Sequence, residues 1–79
     1  MITLDDIRQF LADELGIDTT DIEADTALFS SGVVDSFALI TLMMHLEAIG
    51  GFRINPADVT LDNMDSLGRI VSFANRQIA

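Results

Sequence analysis

The sequence contains no cysteine, no lysine and a single histidine among its 79 residues. Without cysteine the chain can form no disulfide, no thiolate zinc site and no thiol nucleophile. Four arginines stand against thirteen aspartates and glutamates, so the net charge is −9. So few cations cannot build the positive surface that nucleic acid or anionic lipid requires. The sequence therefore predicts a protein that binds neither nucleic acid nor membranes.

Targeting signals and long apolar runs are also missing. Residues 1–6 lack the basic segment and apolar run of a secretory signal. The longest apolar stretches, such as residues 37–40, fall far short of the roughly 20 residues of a membrane-spanning helix. We therefore expect a cytoplasmic protein. A hydrophobic content of 49% excludes a disordered acidic tail, and the length fits one monomeric domain over residues 1–79.

Apolar residues that recur every three or four positions predict three principal helices. The first spans about residues 3–15 and opens with a threonine and an aspartate in the spacing of a capping box. The second spans about 36–49, with Asp35 as its N-cap and a Gly-Gly pair at its end. The third spans about 64–77. Before it, Asn55-Pro56 predicts a single turn or a short helix.

Residues 16–35 carry no helical pattern and are rich in turn-forming side chains. A loop of about twenty residues is unusual in so small a domain unless it is functional or packed by its own side chains. Its apolar residues predict packing across the helix ends: Ile17, Ile22, Leu28, Phe29, Val33 and Val34. We therefore predict an all-α bundle of three main helices, one short helix and a long first loop.

Ser36 is the residue that we single out for a chemical role. It follows Asp35 at the start of the most apolar helix, where we expect an exposed hydroxyl. The positive end of the helix dipole favours a phosphate ester there by about 0.3–1 kcal/mol. The alternative is that the Asp-Ser pair only caps the helix. His45 lies nine residues farther along the chain and cannot reach the Ser36 hydroxyl. A catalytic triad therefore does not fit. If Ser36 has a chemical role, that role is modification by another enzyme.

The segment around this serine resembles the phosphopantetheine attachment motif of acyl and peptidyl carrier proteins. That motif reads Gly, two variable positions, Asp-Ser and then an apolar residue. The resemblance lies in Leu28-Phe29-Ser30-Ser31-Gly32-Val33-Val34-Asp35-Ser36-Phe37. Length, acidity and helix order extend it over nearly the whole chain. It implies an acyl-carrier-protein-like bundle in which Ser36, with Asp35 as its motif neighbour, carries 4′-phosphopantetheine added from coenzyme A by a phosphopantetheinyl transferase.

The resemblance further implies a carrier with no catalytic activity of its own. It would hold an acyl or aminoacyl group as a thioester, take it from a loading ligase or adenylating enzyme, and present it to an acyltransferase, synthase or modifying enzyme. Because the chain starts at Met and ends soon after the last helix, we expect a free-standing subunit. The alternative is an unmodified helical interaction domain of the same fold that binds a partner through Phe37 and Met44.

In carriers of the fatty-acid type, as the resemblance implies, the second helix is lined with carboxylates. The second helix of this sequence differs. Between residues 37 and 49 the only acidic residue is Glu47. Spacing places Leu39, Leu42, Met43, Leu46 and Ile49 inward, and Phe37, Ala38, Thr41, Met44, His45 and Ala48 outward or at the edge. An apolar docking face of this kind resembles aminoacyl and D-alanyl carriers and favours polyketide or non-ribosomal peptide biosynthesis.

The residues predicted to dock partners are Phe37, Thr41, Met44, His45 and Arg53. For Phe37 and Met44 the alternative is packing against the loop, and for Arg53 it is an ion pair with a carboxylate. Ile54 and its neighbours Val59 and Leu61 either close the core or line a cavity for the arm.

The remaining acidic residues predict no binding site. Those in the first helix and loop are interpreted as a solvated face, and those at positions 18–25 lack the ligand spacing of a calcium loop. We therefore predict no metal site.

Overall fold

The computed structural model contains helices α1 to α4 and one 3-10 helix. It describes residues 1–78 except for the side chain of Ser36. In chain order the elements are α1 (Leu4–Glu14), α2 (Ser36–Gly50), the 3-10 helix (Pro56–Asp58), α3 (Leu61–Met64) and α4 (Leu67–Ile78). Helix α4 contacts α1, α2 and α3. The described residues include no strand and no helix long and apolar enough to cross a membrane. The predicted all-α bundle with a long first loop is confirmed.

Side chains predicted to cap α1 and α2 do so. The hydroxyl of Thr3 accepts the N–H of Asp6 at 3.2 Å, and the Asp6 carboxylate accepts the N–H of Thr3 at 2.8 Å. Asp35 Oδ1 accepts the N–H of Ala38 at 2.9 Å. Helix α2 ends where Gly51 adopts a left-handed φ of 69°, which glycine allows without strain. The predicted capping box, N-cap and Gly-Gly end are all present.

The chain between α2 and α4 differs in part from the prediction. The turn at Asn55-Pro56 is present as the 3-10 helix, but the separate helix α3 follows it. Helix α4 then begins at Leu67 instead of at about 64. Its N-cap is Ser66, whose hydroxyl accepts the N–H of Arg69 at 3.2 Å. The boundary is later because Asp65, which lies within the predicted helix, directs its carboxylate to the long loop.

The four helices and the loop share one apolar core. Ile22, Leu28 and Val34 of the loop are buried in it, which confirms the predicted packing of that segment, whereas Val33 is exposed. The buried apolar residues are Ile2, Ile7, Phe10, Leu11, Ile22, Leu28, Val34, Ala38, Leu42, Leu46, Met64, Leu67, Ile70, Phe73 and Ala74. This burial fixes which faces of the helices remain available for function.

Several assignments of helix faces are wrong. Ile49, predicted inward, is 47% exposed because it faces an open groove between α1 and α2. Ala38, predicted outward, is buried because the loop returns across the first turn of α2, where Val34 N–H donates to Leu28 O at 3.0 Å. In α4 the spacing predicts an inner face of Leu67, Ile70, Val71 and Ala74; the buried face also includes Phe73, and Val71 is half-buried.

Truncation of two residues on α2 tests these burials. Leu46 is fully buried, so Leu46→Ala should lower the free energy of unfolding by about 2–5 kcal/mol. The matched change Ile49→Ala should lower it by less than about 1 kcal/mol. Urea unfolding followed by circular dichroism measures both, and equal losses would contradict the assignment of Ile49 to the surface.

Candidate cofactor attachment site

The first turn of α2 lies at one end of the bundle. Asp35 precedes it in an extended conformation, with φ of −94° and ψ of −179°, so Ser36 is the first helical residue. The side chain of Asp35 is exposed, and that of Phe37 is 81% exposed. The side chains on both sides of position 36 therefore face solvent, as an attachment position for a group delivered by another protein requires.

Two surface grooves meet at Asp35. The first, which we call the loop groove, has a volume of about 260 Å³ and lies between the loop and α2; its apolar lining is Leu15, Ile17, Val33, Val34, Phe37 and Ala38. The second, the α3 groove, has a volume of about 510 Å³ and an apolar lining of Phe29, Val34, Leu39, Val59, Leu61 and Met64. A flexible group attached between them would have an apolar channel on each side.

The α3 groove continues along α2. Leu39 and Val59 also line a further depression of about 490 Å³, which extends to Met44 and Ile54. Ile54 and Val59 are half-buried, and Leu61 is 54% exposed. The three residues that were predicted either to close the core or to line a cavity therefore line an open groove.

One carboxylate, that of Asp65, organises the start of the motif segment. Its Oδ1 accepts the N–H groups of Phe29 at 2.8 Å, Ser30 at 2.9 Å and Leu28 at 3.2 Å. Its Oδ2 accepts the hydroxyl of Ser30 at 2.7 Å. No local sequence pattern indicates this role, because 35 to 37 positions separate Asp65 from the three residues whose N–H groups it accepts.

These hydrogen bonds determine the charge of Asp65. Those from the N–H and then the hydroxyl of Ser30 lower the pKa of the carboxyl most, and those from Phe29 and Leu28 lower it further. Partial desolvation acts in the opposite direction and is outweighed. The ionised carboxylate is therefore the form that holds the loop.

The first half of the loop has its own anchors. The guanidinium of Arg8 donates to the carbonyl oxygens of Thr19, at 3.0 Å, and Ile22. The N–H of Gly68 donates to the carbonyl of Ala24 at 2.8 Å, and a Cβ on Gly68 would lie 3.1 Å from that oxygen. A glycine in the first turn of α4 thus allows the loop to approach closely. Both halves of the loop are fixed to helices, so the turn at Asp35 has a defined position.

The five residues predicted to dock partners do not form one surface. Phe37 and Thr41 line the loop groove, and Met44 lines the extension of the α3 groove. His45 is half-buried, and its ring stacks on an α1 phenylalanine with centroids 4.3 Å apart. Arg53 is exposed beyond α2 and makes no ion pair with any residue that the structure describes, so the carboxylate pairing expected as its alternative role is wrong.

An exposed apolar strip runs along α2. Phe37 is 81%, Ile40 52% and Met44 66% exposed, and their spacing of three and four places them on one helix face. We call these three residues the α2 strip. Spacing analysis overlooked Ile40, and the alternative that Phe37 and Met44 pack against the loop is wrong.

The fold and the capped Asp-Ser-Phe turn define a small helical carrier, and comparisons with known proteins agree. Residues 5–73 match the family model described as a phosphopantetheine attachment site. An acyl carrier protein of Clostridium acetobutylicum is 30% identical over 67 residues, which cover 85% of this chain and 84% of the relative. The chain belongs to the family of phosphopantetheine-binding carrier proteins, whose covalent cofactor is 4′-phosphopantetheine.

Two further relatives differ in the carrier class that they represent. An acyl carrier protein of Thermotoga maritima is 25% identical over 72 residues, covering 91% of this chain and 86% of the relative. A D-alanyl carrier protein of Abiotrophia defectiva is 25% identical over 57 residues, covering 72% of each chain. Similarity therefore extends to carriers of both names.

The residues around position 36 fit a covalent arm. The neighbouring side chains are exposed, and apolar grooves begin on both sides of Asp35. Asp35 directs Oδ1 back to the helix N–H of Ala38, which holds the turn in place.

The loop contact of Asp65 should make stability depend on pH. Because the folded state lowers its pKa, the stabilisation is fully present above the unfolded value of about 3.9 and is lost as the pH falls through the lower folded value. We expect Asp65→Asn to lower the thermal midpoint at pH 7, with the difference from the unsubstituted protein shrinking below about pH 4.

Asp62→Asn provides the control for that comparison. Asp62 is 98% exposed and lies 3.7 Å from the guanidinium of Arg69, a type of pair that contributes little. Thermal unfolding between pH 7 and pH 3 measures all three proteins. The loop contact would be excluded as a source of stability by either of two results. The thermal midpoint of Asp65→Asn could differ from that of the unsubstituted protein by the same amount at every pH, or by no more than that of Asp62→Asn.

Proposed function

We propose that Ser36 is the attachment residue of the arm, with Asp35 as its motif neighbour, in a single carrier domain over residues 1–79. The observation that carries the proposal is the Asp35-capped first turn of α2 inside a family match that spans residues 5–73. The other serines of the motif segment support it. The hydroxyls of Ser30 and Ser31 donate to a carboxylate at 2.7 Å and to a main-chain carbonyl at 2.6 Å, so both are engaged in holding the loop.

The chain itself contributes the tether and the docking surfaces. When bound, the arm supplies a thiol that can hold an acyl or aminoacyl group as a thioester. The lone histidine, His45, lies about 13 Å along α2 from position 36 at 1.5 Å per residue, and it stacks on Phe10. This placement supports a non-catalytic carrier that receives its arm from a phosphopantetheinyl transferase and its cargo from a loading ligase or adenylating enzyme.

The surface of α2 supports the class of partner that we propose. Glu47 is the one acidic residue between positions 37 and 49, and its Oε2 accepts the N–H of Ile54 at 2.8 Å. That carboxylate therefore ties α2 to the following segment, and the α2 strip presents apolar contacts. We propose partners that dock through these contacts, as in aminoacyl and D-alanyl carriers, and a role in polyketide or non-ribosomal peptide biosynthesis.

The exposure of the α2 strip also favours a second candidate function. An unmodified interaction domain of the same fold would use Phe37 and Met44 to bind a partner and would carry no arm. The two candidates differ in whether the protein accepts phosphopantetheine.

Arm addition tests the attachment site. We expect the protein, incubated with coenzyme A, Mg²⁺ and a broad-specificity phosphopantetheinyl transferase, to gain the mass of one arm. Ser36→Ala should gain none while its helical circular dichroism persists, and Ser31→Ala should still gain one. No addition to the unsubstituted protein would favour the interaction domain, and an arm on Ser36→Ala would place the attachment elsewhere.

The α2 strip should affect the rate of arm addition. Met44→Glu places a charge on the strip, and we expect it to lower kcat/KM of the transferase by about tenfold, which corresponds to about 1.4 kcal/mol of lost docking energy. Ala12→Glu adds the same charge at an exposed position of α1 and should leave the rate nearly unchanged. Equal effects of the two variants, or a thermal midpoint lowered by Met44→Glu alone, would remove Met44 from the docking surface.

A further inference from the structure

The described residues that line a third groove all differ from those that line the two grooves at Asp35. This α1–α2 groove has a volume of about 500 Å³ and runs between α1 and the second half of α2. The stacked rings of Phe10 and His45 join the two helices across it. Ile49 and Ile78 contribute apolar surface and are 47% and 41% exposed. Neither the attachment of the arm nor the α2 strip uses this groove.

The walls of the α1–α2 groove are held by specific contacts. The side-chain amide of Asn75 accepts the N–H of Ile2 at 2.9 Å and donates to its carbonyl at 2.9 Å. This pairing fixes the segment before α1 onto α4. At the end of α2, the ring of Phe52 packs so closely on Gly50 that a Cβ there would lie 2.3 Å from it. The groove is therefore a preformed feature of the fold.

Negative charge surrounds this apolar floor. Asp5, Asp6 and Glu14 line the groove, and no arginine is among the described residues that do. Hydrogen bonds with the backbone N–H and then the side chain of Thr3 lower the pKa of Asp6, so its carboxylate stays ionised to a lower pH. Three of the four acidic residues of α1, interpreted from sequence as a solvated face, thus form the rim of an apolar site.

We propose that the α1–α2 groove docks a basic amphipathic segment of a partner protein, with apolar side chains on Ile49 and Ile78 and Arg or Lys side chains against Asp5 and Glu14. The distance from Asp5 to Glu14 along α1, about 14 Å at 1.5 Å per residue, matches some nine residues of bound helix. A second copy of this chain, with a net charge of −9, or an anionic lipid surface would meet like charge at this rim.

The α1–α2 groove lies beside the end of α2 that is farther from Ser36 along the helix. Ile49 lies about 20 Å from Ser36 along α2, so a segment seated on Ile49 and Ile78 leaves the first turn of α2 accessible. A partner could hold the carrier at one end while another enzyme acts at the other end. The inference requires only this surface and stands whether or not Ser36 carries the arm.

A peptide titration tests the proposal. The probe is a helical peptide about three turns long with leucines on one face and arginines beside them, and its control is the same peptide with glutamate for arginine. We expect saturable binding of the basic peptide by calorimetry, weakening with added salt, and no binding of the acidic one. Amide chemical shifts should change around Asp5, Ile49 and Ile78 and not around Phe37 and Ile40 of the α2 strip.

Matched variants separate this groove from general attraction to an acidic protein. Asp5→Lys with Glu14→Lys, and Ile49→Glu alone, should each weaken the basic peptide by at least about tenfold. Asp21→Lys with Glu23→Lys reverses the same charge in the exposed loop, and Met44→Glu adds the same charge on the α2 strip; both should bind the peptide normally. Circular dichroism checks that all four proteins fold.

Several outcomes would overturn the proposal. Equal weakening by the loop and groove variants would mean that only net charge attracts the peptide. Shift changes centred on the α2 strip, or slower arm addition at Ser36 with peptide bound, would place the peptide at the other end. Self-association that Ile49→Glu abolishes, measured by light scattering, would make the occupant a second copy of the chain.

Discussion

The arrangement of the functional end depends on the carboxylate of Asp65. It is the acceptor for three consecutive N–H groups and one hydroxyl at the start of the segment that leads into α2. An exposed loop of this length would otherwise sample many conformations, at a cost of about 1–2 kcal/mol for each residue ordered. Charge-assisted hydrogen bonds to the Asp65 carboxylate offset that cost at the start of the segment that leads into α2. The result is a chain that enters α2 at a fixed place, with Asp35 as its cap.

The sequence predicts the parts of this structure that depend on local patterns. The capping box of α1, the N-cap Asp35 and the end of α2 follow from residue types at fixed spacing, and each is present. Capping patterns are reliable because neighbouring residues alone determine the contacts involved. The prediction that Ser36 carries the arm has a different basis, the resemblance of its segment to the attachment motif together with length, acidity and helix order.

The features that sequence reasoning missed depend on contacts between distant segments. Asp65 looks like a helix cap until the loop folds onto it, so α4 begins later than spacing suggests. Ile49 belongs to the inward pattern of α2, but in the part of the chain that the structure describes it lines an open groove. Side-chain period indicates which residues share a face, whereas only the packing of other elements decides which faces are covered. The α1–α2 groove is therefore a property of the fold that composition cannot reveal.

The Asp65 carboxylate holds the segment that leads into the first turn of α2. Native-state hydrogen exchange of Asp65→Ala, followed residue by residue by NMR, tests this role most directly. The account predicts that the amides of Phe29 and Ser30 exchange much faster than in the unsubstituted protein, while those in the middle of α1 keep their protection relative to global unfolding. Unchanged exchange at Phe29 and Ser30 would contradict it, because those amides would then owe their protection to something other than the carboxylate.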